Sequence, residues 1–325
     1  MDIDTQRKIA AILRVISDAG EPLGSSKIAE ELLIQGIDLK DRMVRYYLKE
    51  TDKYGFTENL GRQGRRITEL GRQELARAVA VDRVGFVSAR VDEFSYKTTF
   101  DLAQRTGSVI LNLSTVPEAE YGRARSIMKK VMEAGLGMGR FLAIAEGNNH
   151  LAGYWIPEGQ VAIGTVCGIT LNGVFRSHGI PVSARFGGLL EIRDREPVRF
   201  TQIINYDGTT VDPIEIFIKG KMTRVYETAL HGTGTIGASF REIPASALPQ
   251  AKQLIAALER IGLCSVITLG EAGRPILDVP VPPGRVGAVV AAGLNPVAAA
   301  EEQGISTESF AMSELCGFEE LIPAF

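Results

Sequence analysis

Apolar residues near the start of the chain recur at helical spacing and predict three short helices. Four of them stand at i, i+3, i+4 and i+7 and predict a first helix that ends at Gly20. They are Ile9, Ile12, Leu13 and Ile16. The second helix is predicted to start with an N-cap at Gly24-Ser25-Ser26 and to end at Gly36, with Ile28, Leu32 and Leu33 on its apolar side. Asp38 is predicted to cap the third helix, with Asp41 in its first turn.

The third helix has two contrasting faces. Its apolar face is formed by Val44, Tyr47 and Leu48. The opposite face carries long donors at i, i+3, i+4 and i+7, namely Arg42, Arg45, Tyr46 and Lys49. Arginine reads guanine edges and the other donors hold phosphates, so this pattern is typical of a recognition helix.

Two short strands, at 54–60 and 65–68, are predicted to flank the turn Gly61-Arg62-Gln63-Gly64. Three helices followed by a basic hairpin describe a winged helix-turn-helix, which we assign to residues 1–80. Its further DNA-contact candidates are Arg62, Gln63, Arg65 and Arg66. A basic helix face is also often merely solvated, a basic turn is often an ordinary hairpin tip, and winged helices also bind RNA or proteins.

Residues 81–325 alternate strand and helix patterns and predict a mixed α/β domain. A strand is predicted to begin it at Val84-Gly85-Phe86-Val87. Helices are predicted at 118–133 and 246–260, and strands at 141–145, 161–166, 264–269 and 286–291. A separate segment, 193–235, lies in the middle and ends in the Gly/Thr-rich sequence Gly232-Thr233-Gly234.

This domain contains an internal repeat. Five anchor residues recur after an offset of 125 positions: Pro157, Gly159, Gly168, Gly179 and Ile180 match Pro282, Gly284, Gly293, Gly304 and Ile305. Other residue types rarely replace the backbone roles of glycine and proline, so their joint recurrence favours duplication over chance. The predicted halves are about 112–192 and 239–321, related by a pseudo-twofold axis.

The stretch from Cys167 to Gly173, continued to Gly188, is the predicted centre of a ligand pocket. It combines an apolar strand-like approach, a turn at Asn172-Gly173 and a second Gly-rich bend at Arg185 to Gly188. Backbone amides and small polar side chains would converge there.

Charge and cysteine content narrow the function class. The net charge is −3, yet residues 40–66 hold eight Lys/Arg against four acids, a local excess expected for a nucleic-acid contact. The three cysteines are far apart, which supports neither a disulfide framework nor a metal site and indicates a reducing cytoplasm. No signal peptide or run of transmembrane length is found, and no membrane partner is expected.

Several motifs, together with the winged helix, resemble the NrpR family of nitrogen regulatory repressors. They are Thr170-Leu-Asn-Gly-Val, His178-Gly-Ile-Pro, Arg185-Phe-Gly-Gly-Leu, Phe240-Arg-Glu-Ile-Pro and Gly293-Leu-Asn-Pro. The resemblance implies a homodimeric repressor of nitrogen-assimilation genes that binds an inverted-repeat operator and is released by the effector 2-oxoglutarate. A second NrpR-type subunit is a further implied partner, and no cofactor is implied.

A 2-oxoglutarate site needs cationic and amide donors, because the ligand is a dianion. Arg185 is the preferred carboxylate partner, and Asn295 is taken as the counterpart of Asn172 in the second half. The candidate effector-binding residues are Cys167, Thr170, Asn172, Gly173, Arg185, His231, Thr233 and Asn295. Arg185 as an ion-pair anchor, Asn172-Gly173 as a plain turn, and His231 as a structural histidine are the alternatives.

Three other function classes remain as alternatives. A winged-helix regulator with a different effector is the first. An enzyme would use Cys167 as nucleophile with His178 or His231 as base, but no positioned acid is evident and no catalytic residues are assigned. A protein-docking module would bind without the steep salt dependence expected of arginine-led DNA binding.

Overall fold

The computed structural model describes residues 3–34, 37–82 and 86–325. The chain divides into two units, Met1–Gly85 and Phe86–Phe325. We describe each unit by itself.

The N-terminal unit is a winged helix-turn-helix. Its helices are α1 (Ile3–Ala19), α2 (Ser25–Ile34), α3 (Asp41–Lys53) and α4 (Glu69–Asp82), and its strands are β1 (Thr57–Asn59) and β2 (Arg65–Ile67). The strands pair antiparallel around a 3₁₀ turn, Gly61–Gln63. The apolar positions expected from the sequence form the core of the unit, in particular Ile12, Leu13, Ile28, Leu32, Val44 and Leu48. Apart from Leu33 on α2, helical spacing therefore identified the buried positions of these helices correctly.

Two local predictions in this unit are wrong. Leu33 is 61% exposed, because the buried stripe of the short helix α2 is no wider than Ile28 and Leu32. Asp38 does not cap α3, since the helix starts later, with Lys40 at the N-cap and no side-chain cap. Gly36, the expected end of the second helix, lies outside the described residues.

The sequence predicted a strand that begins at Val84-Gly85-Phe86-Val87. Val84 and Gly85 lie outside the described residues, and Val87 instead begins a helix, α5 (Val87–Lys97). Val87, Val91 and Ser95 are buried at a spacing of four, which is a helical period. The strand prediction rested on a few apolar residues, too short a window to distinguish the two periods. Among the described residues, no helix is both long and apolar enough to span a membrane.

The remainder of this unit repeats one order of elements. The first half contains β3 (Ser108–Pro117), α6 (Tyr121–Glu133), β4 (Phe141–Glu146), the small hairpin β5 (Asn149–Leu151) and β6 (Tyr154–Ile156), β7 (Gln160–Val166), α7 (Ile169–Ser177) and β8 (Ser183–Arg193). Three elements form the middle segment: β9 (Glu196–Asn205), α8 (Pro213–Lys219) and α9 (Val225–His231). The second half contains β10 (Gly234–Pro244), α10 (Leu248–Ile261), β11 (Val266–Leu269), β12 (Arg285–Ala291), α11 (Asn295–Glu302) and β13 (Glu308–Gly317), and β14 (Ile322–Pro323) follows it.

The two halves exchange strands reciprocally. One sheet has the order β13-β3-β7-β4-β14, and the other has the order β11-β12-β10-β8-β9. The last long strand of each half therefore completes the sheet of the other half: β8 pairs with β10, and β13 pairs with β3, both antiparallel. Neither sheet is built from one half alone.

The helices bury their apolar sides on both sheets. One cluster joins α6 and α11, through Met128, Val131 and Val297, to residues of both sheets. A second cluster joins α7 and α10, through Phe175 and Leu258, to both sheets in the same way. Because each cluster spans the two halves, the halves form one packed structure.

Both turns expected in the Cys167–Gly188 stretch are wrong. Asn172 and Gly173 lie inside α7, and Gly187 and Gly188 lie inside β8. The glycines serve close packing instead of chain reversal: a Cβ at Gly173 would stand 2.4 Å from Thr98 Cβ, and one at Gly188 would stand 2.6 Å from the Gln202 carbonyl oxygen. Sequence patterns reveal the glycine but not the neighbour that requires it.

Candidate functional site

The first candidate surface is the polar face of α3. Arg42, Arg45, Tyr46 and Lys49 are all exposed. Val44 and Leu48 on the opposite side are fully buried, so packing fixes which face is presented to solvent. Arg45 forms an ion pair with Asp41 one turn earlier in the helix. Hydrogen bonds from Arg45 and Ser25 lower the pKa of Asp41 to about 2.

The wing contains two kinds of arginine. Arg62 and Gln63 are exposed at its tip, and Arg66 is exposed beside Glu58, with 2.9 Å between Arg66 Nη2 and Glu58 Oε2. Arg65 differs, because its side chain is only 16% exposed. It donates from Nε to Asp52 Oδ2 at 3.0 Å and so ties β2 to α3. Of the four wing candidates, Arg65 is placed to support the wing's structure.

The second candidate site is a cavity of about 40 Å³ where the two halves meet. Equivalent segments of both halves contribute to it: Asn112 and Cys167–Ile169 from the first, and Ser239 and Ala292–Leu294 from the second. The remaining walls are Tyr206, Asp212 and Ile214 from the middle segment, with Arg241, Ala291, Ala311 and Met312. By volume it holds about three water molecules, or a group the size of a carboxylate.

Arg241 is the charged centre of this cavity and is 1% exposed. Its Nη1 donates to the Gly168 carbonyl oxygen at 2.8 Å and to Asn172 Oδ1 at 2.5 Å, and its Nη2 donates to Ser239 Oγ at 2.6 Å. All three acceptors are neutral. In the described part of the chain, Arg241 Nε is the one buried side-chain nitrogen or oxygen without a hydrogen-bond partner. A buried guanidinium with neutral partners and a spare donor is costly, and burial lowers its pKa.

Burial disfavours the anionic forms of the other ionisable groups in the cavity. Burial raises the pKa of Asp212, the pKa of Tyr206, and the pKa of Cys167, the last to about 12. Asp212 Oδ1 accepts the Ile214 N–H at 2.8 Å and so caps α8. The site therefore places the Arg241 cation beside groups whose anionic forms are disfavoured. Such a site is suited to binding an anionic ligand.

Strained backbone borders the cavity at Met312. This residue has φ of 47° and is 2% exposed. It lies in a bulge of β13, where the register shifts between Phe310 and Glu314. The bulge is held from two sides: Met312 N donates to Asn112 Oδ1 at 3.1 Å, and Arg90 donates to the Ala311 and Met312 carbonyl oxygens. Positive φ in a methionine costs free energy and recurs at functional sites.

The structure brings only part of the predicted effector set to this cavity. Cys167 lines it, and Asn172 contacts its arginine. Thr170 instead accepts the Ile110 N–H at 3.1 Å. Gly173 packs on Thr98. Asn295, fully buried, bonds to the Gly237 N–H and to the carbonyl oxygens of Gly237 and Leu136.

The remaining predicted effector residues lie elsewhere in the unit. Arg185 is on β8, half exposed, and pairs with the buried Glu242 at 3.1 Å. His231 is exposed at the end of α9. Thr233 Oγ1 accepts the Asp194 N–H at 3.1 Å. None of these three lines the cavity around Arg241.

Sequence reasoning missed Arg241, Ser239, Tyr206 and Asp212 as site residues. Arg241 left a signal, since Arg241 and Glu242 are two adjacent charged residues flanked by Phe240 and Ile243 in a strand whose other residues are uncharged. Asp212-Pro213 was a helix-start signal. That the two converge on one cavity depends on the pairing of distant strands, which no local pattern reveals.

The family comparison covers both units. Residues 84–322 match the family described as NrpR regulatory domains NRD1 and 2, and residues 10–75 match the Ribonuclease R winged-helix domain. The global nitrogen regulator NrpRI of Methanosarcina mazei is 35% identical over 99% of both chains.

Two further relatives are longer proteins. The global nitrogen regulators NrpR of Methanococcus maripaludis and Methanocaldococcus jannaschii are 31% and 30% identical over 94% and 98% of this chain. The chain spans about half of their length, 53% and 55%. The crystal structure of a nitrogen repressor-like protein from Methanococcus jannaschii superposes with a TM-score of 0.64 and 26% identity, covering 74% of this chain and 99% of that one.

Proposed function

Since this chain belongs to the NrpR family of nitrogen regulators, we propose that it represses nitrogen-assimilation genes by binding an inverted-repeat operator as a homodimer, and that 2-oxoglutarate releases it. The coarser role, a nitrogen-related transcriptional regulator, follows from the relatives that match along nearly its whole length. The operator, the dimer and the effector are the proposed parts.

The observation that carries operator binding is the two-faced helix α3. Its buried residues fix its rotation, so that Arg42, Arg45, Tyr46 and Lys49 all face solvent. Guanidinium groups in that position can donate to guanine O6 and N7 in the major groove, while the wing arginines Arg62 and Arg66 neutralise phosphates. Two such helices, spaced by a dimer, match an inverted repeat.

Binding of 2-oxoglutarate and binding of operator DNA are thermodynamically coupled in this proposal. If 2-oxoglutarate releases the operator, the ligand must bind the non-DNA-binding form more tightly, and operator DNA must weaken ligand binding by the same factor. The buried, charged cavity between the halves supports an anionic effector in general. The choice of 2-oxoglutarate rests on the family resemblance. A second NrpR-type subunit remains a proposed partner.

The Cys/His enzyme is disfavoured by two features of the site. Burial raises the pKa of Cys167 to about 12, so its thiolate is scarce near neutral pH. Of the two candidate bases, His178 has its Nδ1 at 2.8 Å from the Val174 carbonyl oxygen of α7, which occupies that nitrogen, and His231 is exposed at the end of α9, outside the cavity that Cys167 lines.

The test is fluorescence anisotropy of the purified chain on a labelled inverted-repeat duplex from its own upstream region. The titration is repeated at several salt concentrations, with 2-oxoglutarate and with glutarate, which lacks the keto oxygen. We expect tight, salt-sensitive binding that 2-oxoglutarate reverses and glutarate does not.

Two other outcomes separate the parts of the proposal. Binding that no effector reverses would refute the effector or the single-subunit form and leave operator binding intact. Addition of a second NrpR-type chain would then distinguish those two. Absence of binding at any salt concentration would refute the repressor and favour a protein-docking module.

A further inference from the structure

We propose that Arg241 is the carboxylate anchor of the effector site, and that the cavity beside it receives one carboxylate group of the ligand. The inference rests on the proposed function in one respect: it takes the effector to be an organic acid. It assigns the site to residues other than the predicted Arg185 and His231.

Arg241 has more N–H donors than the protein uses. A guanidinium has five N–H donors. Three hydrogen bonds are made, two from Nη1 and one from Nη2. This leaves the Nε–H, which has no partner, and a second N–H on Nη2. Nε and Nη2 lie on the same edge of the guanidinium and can donate in parallel to the two oxygens of one carboxylate.

The positive charge of Arg241 also favours a ligand anion. Arg241 has no ion-pair partner within 4.0 Å among the described residues, unlike Arg185 and Arg285, which share Glu242. Asp212 is the carboxyl group in the cavity walls, and its side chain is engaged in capping α8. A buried cation whose protein partners are all neutral is stabilised when a ligand anion is added.

The repeat shows that the site is single. In the register with β12, Arg241 stands opposite Ala288; the equivalent place in the first half, opposite Ile163 of β7, is occupied by Ser114. Ser114 Oγ is 2.9 Å from Ser309 Oγ, a pair that needs no external partner. Of these two equivalent positions, only that of Arg241 carries a charged side chain, and we therefore expect one ligand per chain.

The size of the cavity defines what it takes. Its volume of about 40 Å³ matches one carboxylate group and is smaller than a five-carbon diacid. The rest of such a ligand requires movement of a wall, and the strained bulge at Met312 is the wall whose backbone is held away from its preferred conformation.

Calorimetric titration of the full chain with 2-oxoglutarate tests the proposal in Arg241→Gln, Arg241→Lys and the matched control Arg185→Gln. Loss of Arg185 leaves Glu242 paired with Arg285, so the control keeps its local structure. We expect the dissociation constant to rise roughly 10- to 100-fold in both Arg241 variants and by less than about twofold in the control. The Arg241 variants should still bind the operator but no longer release it.

Each outcome bears on a different claim. Unchanged 2-oxoglutarate affinity in a folded Arg241 variant would overturn the assignment and leave the repressor proposal standing. A wild-type chain that binds neither operator nor 2-oxoglutarate would refute the proposed function itself. If the Arg241 variants do not fold, a crystal structure of the wild-type chain with 2-oxoglutarate decides. A carboxylate on Arg241 Nε would support the site, whereas one beside Lys130 and Arg195, in the larger cavity of about 640 Å³, would overturn it.

Discussion

Thr170 and Asn295 occupy equivalent positions at the starts of α7 and α11, 125 residues apart. Each side chain accepts a backbone N–H from the first long strand of its half: Ile110 N to Thr170 Oγ1 at 3.1 Å, and Gly237 N to Asn295 Oδ1 at 2.9 Å. The sequence alignment had instead matched Asn295 with Asn172, which the structure places later in its helix. The true pair fastens helix to strand in both halves.

This relationship predicts a structural role for Asn295. Replacing Asn295 by Ala removes the partner of the Gly237 N–H and of the Leu136 carbonyl oxygen, while the Gly237 carbonyl oxygen still accepts the Ala292 N–H, so we expect the free energy of unfolding to fall by about 2–4 kcal/mol. Thr170→Val removes one acceptor and should cost about 1–2 kcal/mol. Urea unfolding followed by circular dichroism measures both. Asn205→Ala, at an exposed position, serves as the control. Loss of effector affinity without loss of stability would make Asn295 a ligand contact after all.

The operator proposal predicts a specific effect at Arg45. Arg45→Ala should weaken operator binding by about 1–3 kcal/mol and leave 2-oxoglutarate affinity unchanged. Arg274→Ala is the matched control, because Arg274 is also an exposed arginine, paired with an acid three residues earlier, but in a loop of the second unit. Fluorescence anisotropy measures the operator affinity of each variant, and calorimetry measures its 2-oxoglutarate affinity. An equal loss of operator affinity in both variants would remove the special role of α3.

The two kinds of wing arginine predict different losses. Arg62→Ala should reduce the slope of log affinity against log salt by about 1 and leave the thermal midpoint unchanged, as for a phosphate contact. Arg65→Ala breaks the largely buried pair with Asp52 and should lower stability by about 1–3 kcal/mol as well as weaken DNA binding. Salt titrations and thermal unfolding distinguish these two effects. A stable Arg65→Ala chain that has lost only DNA affinity would show that Arg65 contacts DNA directly.

Asp212 predicts a pH dependence of stability. Its pKa is raised by burial above the value in the unfolded chain, so the folded state holds the proton more tightly. The unfolding free energy should therefore fall as pH rises from about 4, near the unfolded pKa, through the folded pKa. Asp212→Asn keeps an N-cap side chain, should remove this slope, and should be the more stable chain at pH 7. Urea unfolding from pH 4 to 8 measures the difference. Parallel curves for the two chains would contradict the prediction.

Much of the fold could be predicted because its signals are local. Helical spacing identified α1, α3, α6 and α10, and the wing followed from a hairpin turn between two strands. Predictions failed where the signal was shorter than a helical turn or two, as at α5, or where glycine was taken to mean a turn. Gly173, Gly187 and Gly188 are glycine because a neighbour lies too close for a Cβ.

Less of the candidate site could be predicted. Cys167 and Asn172 were predicted from the sequence as site residues, whereas Arg241 was not, although it and Glu242 are adjacent charged residues flanked by Phe240 and Ile243. Its importance depends on which acceptors surround it and which donor is left over. Those facts arise from α7 of one half meeting β10 of the other, a contact between residues about 70 positions apart in sequence.

The reciprocal strand exchange has a consequence for biosynthesis. The sheet of the first half needs β13, and Ser108 pairs with Gly317, which lies 317 − 108 = 209 residues later in the chain. While the chain is being synthesised, β3 thus waits with one edge unpaired until β13 has left the ribosome, whereas the winged helix can fold much earlier. An open strand edge is a template for pairing with other chains. The window for misassembly should therefore be set by the rate of translation across the second half, and slowing that rate should lower the yield of native protein.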